Sequence, residues 1–239
     1  ALSMEDAVAR ILTWSDGDEF DSPYVVTPNV DHVVKLQKNP DFLEAYRRAR
    51  LVLADGKPVV LASRLLGKPL PGTVPGSDLV PALFDAAEKR GGLRVFLFGA
   101  AEGVAARAAA EIARRWPSIE VVGALSPPMG FSAQTSAHHA AVAEINQAEP
   151  DVLVVGLGAP KQEIWARAAC SELETKSILC VGATIDFLAG EKARAPVWMR
   201  RLGMEWLHRA LSEPRRLLGR YLHDAWVFPR LFIKEWLRG

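Results

Sequence analysis

Six short apolar runs, separated by stretches with helical spacing, limit this chain to few folds. Each run is apolar at consecutive positions, which is typical of strands covered on both faces of a parallel sheet. Helices are predicted between them at 77–92, with Ser77 as the N-cap, at 101–116 and at 160–172. The alternation predicts an α/β fold, a Rossmann-like, mostly parallel sheet flanked by helices, with ligands at the carboxyl ends of the strands. The runs are 24–27, 51–54, 94–99, 120–123, 151–158 and 177–182.

The strand signals stop near Pro196, and the composition changes at about the same point. We therefore expect an α/β core over 1–195 and a helical appendage over 196–239. Pro214 and Pro229 are predicted to divide the appendage into about three helices. Residues 194–239 hold 10 Lys/Arg and 4 Asp/Glu, although the whole chain has a net charge of only +1. Four of the seven tryptophans lie there too, namely Trp198, Trp206, Trp226 and Trp236.

A basic, Trp-rich terminus indicates an anionic surface, either a membrane face or a nucleic acid. The arginines alternate with Trp and Leu at helical spacing and form no Lys-rich run. This arrangement favours an interfacial helix on a membrane over a nucleic-acid site. No stretch is long and apolar enough to span a bilayer. We expect a peripheral protein on the cytoplasmic face of the inner membrane, with no nucleic-acid partner; a homo-oligomer stays open.

The two cysteines, Cys170 and Cys180, form no metal-ligand pattern, and no His/Cys/Asp group shows ligand spacing. Cys180 lies inside an apolar run, where a buried thiol fits a reducing cytosol. We therefore expect activity without a metal and without any other cofactor.

Polar residues or glycines follow nearly every predicted strand. In a doubly wound sheet such positions converge on one edge, so together they indicate a ligand cleft, although each alone is also ordinary turn or cap chemistry. "GLGAPK" places glycines before a helix N-terminus, which suits a phosphate, but it is not a full G-x-G-x-x-G. His32 is interpreted as a structural histidine. The positions are Thr27, Asn29 and Asp31, then Asp55-Gly56, then Gly99, then Gly158, Lys161 and Gln162, then Gly182 and Asp186.

Asp55 is the residue on which a functional interpretation depends most. An Asp-Gly pair after a buried strand is common turn chemistry, but it can also deliver an acid to a cleft. An acid that takes a proton from a hydroxyl, close to a phosphate-binding helix, is what transfer from a nucleotide-activated donor needs. A nucleotide-dependent oxidoreductase is the alternative, weakened by the incomplete glycine fingerprint.

Eight segments, in this order, resemble the WecG/TagA/CpsF glycosyltransferases (glycosyltransferase family 26). They run from about Val25 to Tyr221, nearly the whole chain. The segments are "TPNVDH", "LADGKPVV", "GSDLV", "VFLFG", "PPMGF", "GLGAPKQEIW", "GATIDFLAG" and "RAPVWMRRLGMEWLHRALSEPRRLLGRY".

The resemblance implies inverting, metal-independent transfer of a sugar from a UDP-sugar to a polyprenyl-diphosphate-linked saccharide in cell-surface polysaccharide synthesis. A hexose, a uronic acid or an N-acetylmannosamine-type sugar all fit. It implies that Asp55 is the general base and that Thr27, Asn29 and Gln162 line the site. The appendage is expected to contact the membrane and to supply arginines to the donor diphosphate. The expected donor residues are Gly99, Gly158, Lys161, Gly182, Asp186, Arg215, Arg216 and Arg220.

One departure from the family pattern concerns the segment 73–78. Many relatives read Arg-Val-x-Gly-x-Asp, whereas this chain reads Thr-Val-Pro-Gly-Ser-Asp. A family arginine is therefore replaced by Thr73. Either Arg64 substitutes for it, or the donor or acceptor differs.

Overall fold

A computed structural model of the chain describes residues 2–17 and 23–238, apart from the side chain of Arg201. In these residues, six strands form one sheet in which every neighbouring pair runs parallel. The predicted Rossmann-like α/β fold is confirmed. The strands are β1 Tyr24–Val26, β2 Leu51–Val52, β3 Leu93–Gly99, β4 Ile119–Leu125, β5 Val152–Gly156 and β6 Ser177–Cys180, in the sheet order β2-β1-β6-β5-β3-β4.

The helices lie between the strands and after the last one. Those up to β6 are α1 Met4–Ser15, α2 Val30–Leu36, α3 Pro40–Arg48, α4 Lys57–Leu65, α5 Gly76–Glu88, α6 Val104–Arg115, α7 Ser136–Gln147 and α8 Lys161–Ala169. Those after β6 are α9 Thr184–Leu188, α10 Val197–Leu202, α11 Glu205–Ser212 and α12 Pro214–Trp236.

Both faces of the sheet are covered, which explains the continuous apolar runs. In β3, Val95 and Leu97 belong to one buried cluster, whereas Phe96 and Phe98 belong to another. The first cluster includes residues of α1, α5, α6 and α9, and the second includes residues of α3, α7 and α8. Because successive side chains of a strand point to opposite faces, each strand between two helical layers needs apolar residues at every position.

The carboxyl ends of β1, β6 and β5 lie side by side. Val26 is paired with Cys180, and Cys180 is paired with Val155. The loops that follow these three strands therefore start next to one another. They contain four of the predicted polar or glycine positions, Thr27, Asn29, Gly158 and Gly182.

The second strand, at one edge of the sheet, is shorter than predicted. Only Leu51 and Val52 pair with β1, and the side chain of Val52 is exposed. The next residues leave the ladder and bond to the loop after β1, where the Asp55 N–H donates to the Pro28 carbonyl over 2.8 Å. This hydrogen bond between the two loops holds the backbone of Asp55 beside the loop that contains Thr27.

Two predicted helix signals are wrong. Ser77 is not an N-cap, because α5 already begins at Gly76 and the Pro75 carbonyl accepts from the Leu79 N–H over 2.9 Å. Pro229 does not end a helix either. It lies inside α12, which is 23 residues long, whereas Pro214 occupies the first turn of that helix. A proline removes one hydrogen bond from a helix, and the turns on either side of Pro229 keep theirs.

Three helices, α10, α11 and α12, follow Pro196, in agreement with the expected number. We call these three the C-terminal helices. Gly203, with φ 76°, separates α10 from α11, and α12 packs against α2. In the described part of the chain, none of the helices combines the length and the apolarity needed to cross a bilayer.

Candidate active site

A cavity of about 730 Å³ lies at the carboxyl ends of β1, β5 and β6, between the sheet and the C-terminal helices. Its walls come from both parts of the chain. The main residues from the sheet side are Thr27, Asn29, Asp55, Thr73, Asp78, Gly158, Gln162, Gly182 and Asp186. The main residues from the C-terminal helices are Arg200, Glu205, Trp206, Arg209, Arg216, Arg220, Tyr221 and Phe228.

Most of the residues predicted for the site do meet at this cavity. The exceptions, among the described residues, are Gly99, Lys161 and Arg215, which are absent from its lining. Gly99 has φ 125° and lies so close to Gly156 that an added Cβ would be 2.6 Å from the Gly156 carbonyl carbon, so it serves strand packing. Lys161 and Arg215 are exposed at the first turns of α8 and α12.

Asp55 lies in the turn between β2 and α4 and is partly exposed to the cavity. Gly56, with φ 107°, lets the backbone turn directly into α4. Burial raises the pKa of Asp55 to about 7; the negative charges of Glu205 and Asp78 add to the rise, and Arg209 and Arg194 oppose it. A carboxylate with this pKa is a stronger base than a free aspartate, and its titration near neutrality suits general acid–base chemistry.

Gln162 ties two of the loops together. It is almost fully buried, and its Oε1 accepts the Gly158 N–H over 3.3 Å and the Gly182 N–H over 3.1 Å. Its Nε2 donates to Glu163 Oε1 over 2.9 Å, which fixes the orientation of the amide. Gln162 thus holds the loops after β5 and β6 at a set distance beside the cavity.

Thr27 and Asn29 are also engaged by the fold. The hydroxyl of buried Thr27 donates to the Cys180 carbonyl over 3.3 Å, and Asn29 caps α2 by accepting the His32 N–H over 3.2 Å. Both residues nevertheless line the cavity. Their hydrogen bonds hold them in place at the end of β1.

His32 lies in a buried cluster with Tyr46 and Glu163. Its Nδ1 is hydrogen bonded to Tyr46 Oη at 2.6 Å and lies 3.9 Å from Glu163 Oε1. Burial lowers the pKa of His32 to about 4, so the ring is neutral at physiological pH. Burial also raises the pKa of Glu163 to about 7. The cluster is consistent with a structural role for His32. Glu163 follows Gln162 in the polar stretch after β5, but the sequence alone assigned it no role of its own.

Arginines of the C-terminal helices reach residues of the sheet side. Arg220 Nη1 lies 3.6 Å from Asp31 Oδ2, which also binds Lys35 Nζ at 2.7 Å. Arg216 also lines the cavity, with its Nε 2.5 Å from Glu213 Oε2. These groups bring positive charge to one wall of the cavity.

Thr73, which stands where many relatives have an arginine, lines the cavity. The positions of the neighbouring arginines indicate which of them could take over the role of that arginine. Arg64 is exposed on α4 and, within the described chain, does not belong to the cavity lining. Arg200 does line it, and its Nη1 lies 3.5 Å from Asp78 Oδ1. Asp78 also binds Arg194 Nη1 at 2.6 Å. Sequence reasoning missed Arg200 and Arg209, which stand in the quoted C-terminal segment but were not singled out.

Asp55, the glycine loops at the ends of the parallel strands and the arginines facing them are arranged as transfer of a group from a phosphate-bearing donor requires. The sequence pattern of the glycosyl transferase WecG/TagA/CpsF family matches residues 1–239. The chain belongs to this family and is a glycosyltransferase, which sets aside the oxidoreductase alternative.

Curated relatives agree with this assignment. Proteins from Staphylococcus aureus strains MRSA252 and MW2 are 30% identical to this chain over 224 residues, covering 90% of it and 82% of each relative. A protein from strain NCTC 8325 / PS 47 has the same identity and coverage. Each is named as an N-acetylglucosaminyldiphosphoundecaprenol N-acetyl-beta-D-mannosaminyltransferase.

Proposed function

We propose that this glycosyltransferase moves an N-acetylmannosamine-type sugar from a UDP-sugar to polyprenyl-diphosphate-linked N-acetylglucosamine, with inversion at the anomeric carbon. The observation that carries the proposal is the cavity, in which Asp55, with a pKa raised to about 7, shares the lining with Arg200, Arg216 and Arg220. The S. aureus relatives are named for this sugar and this acceptor.

In this mechanism Asp55 accepts the proton of the acceptor hydroxyl. The hydroxyl oxygen forms a bond to the anomeric carbon from the face opposite the diphosphate, and the bond between that carbon and the UDP oxygen breaks. The electron pair leaves with UDP, whose added charge is met by the arginines of the C-terminal helices, since a guanidinium binds phosphate oxygens in pairs. Thr27, Asn29 and Gln162 hold the loops that surround the reacting groups.

Arginines and helix N-termini can supply this counter-charge without a divalent cation. In the described residues, no group of three or more His, Cys, Asp or Glu side chains is placed to hold a metal ion. We include metal-independent turnover in the proposal, and it is tested below.

We further propose that the C-terminal helices rest on the cytoplasmic face of the membrane that carries the acceptor. Trp198, Trp206, Trp226 and Trp236 are all about half exposed or more. Exposed tryptophans interleaved with arginines are typical of helices that lie in the interface of an anionic bilayer.

The test is a donor screen on the purified full chain with a polyprenyl-diphosphate N-acetylglucosamine acceptor. UDP-N-acetylmannosamine is expected to release UDP and add one N-acetylhexosamine to the lipid, with the inverted configuration by NMR. UDP-glucose and UDP-glucuronic acid test the hexose and uronic acid alternatives. A product with retained configuration, or no UDP release with any of these donors, would contradict the proposal.

A further inference from the structure

Two cavities lie beside the same pair of helices, α4 and α12. Pro58 of α4 and Phe228 of α12 line the main cavity. A second cavity of about 230 Å³ lies near the ends of these two helices and is lined by Leu65, Leu66, Lys68, Glu235 and Trp236. The two cavities thus share both of their helical walls.

The residues between the two cavities continue the same helix faces. On α12, Phe232 lies four residues after Phe228 and four before Trp236, so all three are on one side of the helix. On α4, Leu61 lies three residues after Pro58 and four before Leu65. Leu61 is 58% exposed and Leu65 59% exposed, so this side of α4 is largely uncovered.

We propose that this groove, formed by Pro58, Leu61 and Leu65 of α4 and Phe228, Phe232 and Trp236 of α12, binds the first isoprene units of the lipid acceptor. The inference depends on the proposed function, which supplies the polyprenyl diphosphate. The diphosphate of such an acceptor belongs near the arginines of the main cavity, and its hydrocarbon chain then has to leave past an apolar surface. Seven residues of α4 span about 10 Å by helical rise, enough for the start of a prenyl chain.

The shape of the groove distinguishes this occupant from a bilayer alone. A membrane-facing surface needs only one apolar helix face, such as the exposed side of Trp226. The groove instead has a second wall contributed by α4, whose first turn also lines the cavity that holds Asp55. An extended hydrocarbon chain that starts at the reaction centre fits this arrangement.

The experiment uses water-soluble acceptors, without membrane or detergent, so that only the protein can contact the chain. N-acetylglucosamine diphosphates carrying a methyl, geranyl or farnesyl group are compared by the KM of each. For the wild-type chain, KM is expected to fall by about 10-fold or more from methyl to farnesyl, since burying additional methylene groups favours binding. Leu65→Asp should lose most of this ratio. Leu61→Asp, at an equally exposed position, is the second variant.

Met129→Asp is the control, because Met129 is fully exposed in the loop after β4, at the far edge of the sheet. It should keep the wild-type ratio of KM values. A wild-type KM that does not depend on chain length, or Leu65→Asp and Leu61→Asp variants that keep the dependence, would overturn the inference. So would a chain-length effect that appears only with vesicles, or a Leu65→Asp variant that changes only the sedimentation coefficient, which would assign the groove to a second copy.

Calorimetric binding of farnesyl diphosphate against methyl diphosphate tests the groove even if no sugar is transferred. Tighter farnesyl binding that is lost in Leu65→Asp supports the groove. Equal binding of the two ligands overturns it. A chain that shows the farnesyl preference but no turnover with any donor would contradict the proposed function and leave the groove intact.

Discussion

The α/β core buries its apolar residues, whereas the C-terminal helices expose most of theirs. Neither buried cluster of the core includes a described residue beyond Ala189. Of the described residues after Pro196, the apolar side chains that are buried are Met199, Ala210 and Leu217. In contrast, 11 of the 15 strongly exposed large apolar side chains of the described chain lie in this segment. The core is thus held by its own hydrophobic interior, and most of the apolar surface of the C-terminal helices serves no purpose in folding the chain.

Ion pairs join the C-terminal helices to the core, beside the packing of α12 against α2. Arg220 faces Asp31 at 3.6 Å, and Lys192 lies 3.6 Å from Asp186 and 3.9 Å from Glu213. These side chains are about one-third exposed or less, and such partly desolvated ion pairs contribute little net stability because the desolvation cost offsets the attraction. We infer that selection of the C-terminal sequence reflects ligand and membrane contacts more than folding.

Removing residues 196–239 gives the largest expected effect. Turnover and binding to anionic vesicles should both disappear, because the deletion removes Arg200, Arg216 and Arg220 together with the exposed tryptophans. The core should still unfold cooperatively, since its two buried clusters are left complete. Turnover is measured by UDP release and folding by thermal unfolding. Full activity of the truncated chain on a soluble acceptor would show that the core alone is the enzyme.

Asp55→Asn tests the core side of the comparison. The amide keeps the turn chemistry but cannot accept the proton, so kcat should fall by about 10²-fold or more. Wild-type activity should itself decrease as the pH falls through about 7, because the carboxylate that acts as the base becomes protonated. UDP affinity, measured by calorimetry, should change little. A variant with normal kcat would reduce Asp55 to a turn former.

The same variant has a signature in stability. The pKa of Asp55 is raised on folding, so its contribution to stability is largest below the unfolded value of 3.8 and is lost as the pH rises through about 7. Asn avoids the buried charge. Asp55→Asn should therefore have a higher Tm than the wild type at pH 8, and the difference should shrink towards pH 4. If the variant has a lower Tm than the wild type at pH 8, the folded protein stabilises the ionised Asp55 carboxylate, contrary to this expectation.

The core could be predicted from sequence more fully than the C-terminal helices, for a physical reason. A parallel sheet between two helical layers demands apolar residues at every strand position, so β3, β5 and β6 leave clear runs. The edge strand β2 was overestimated, because an apolar run does not show where the chain leaves the sheet to bond to a neighbouring loop. Pro229 was misinterpreted as a helix break, since the position of a proline does not show whether the flanking turns hold.

The site residues of the core could likewise be predicted more fully from the sequence than those of the C-terminal helices. Strand ends converge by topology, so Thr27, Asn29, Asp55 and Gly182 could be placed together from the sequence. The arginines could not be sorted in this way, because their approach depends on how separate helices cross the sheet edge. Arg216 and Arg220 reach the cavity, whereas Arg215, one residue earlier, stays outside its described lining. Gly99 was assigned to ligand binding but is required by the approach of Gly156.

Arg220→Gln tests the contact between the core and the C-terminal helices. Loss of a charge-assisted contact to the donor diphosphate should raise the KM for the UDP-sugar by about 10- to 100-fold. Arg215→Gln is the matched comparison, since it removes an equal charge from the same helix outside the cavity lining. The KM of Arg215→Gln should stay within about 2-fold of the wild-type value if only residues that line the cavity bind the donor. Equal effects of the two variants would mean that general positive charge, not position, governs donor binding.

Trp226→Asp tests the outer surface of the C-terminal helices. Trp226 is 67% exposed, so the fold should tolerate the change. Binding to phosphatidylglycerol vesicles should weaken by about 10-fold, the loss expected for one large apolar side chain in the interface. Turnover on a soluble acceptor should be retained. Met129→Asp, equally polar but far from these helices, should leave vesicle binding as it is, and a drop in that control would point to net charge instead of the tryptophan.

The smallest expected effect is that of chelation. If the C-terminal arginines supply the counter-charge for the leaving diphosphate, EDTA should leave kcat and KM of the full chain unchanged within error, and added Mg²⁺ or Mn²⁺ should not increase them. The measurement is sharper in the Arg220→Gln background, where the arginine is missing and a divalent cation could partly replace it. If Mg²⁺ restores the turnover of the variant and has no effect on the wild type, the C-terminal helices supply the positive charge that a metal ion would otherwise supply. Loss of wild-type turnover on chelation, restored by Mg²⁺, would instead place a cation in the core and remove this function from the C-terminal helices.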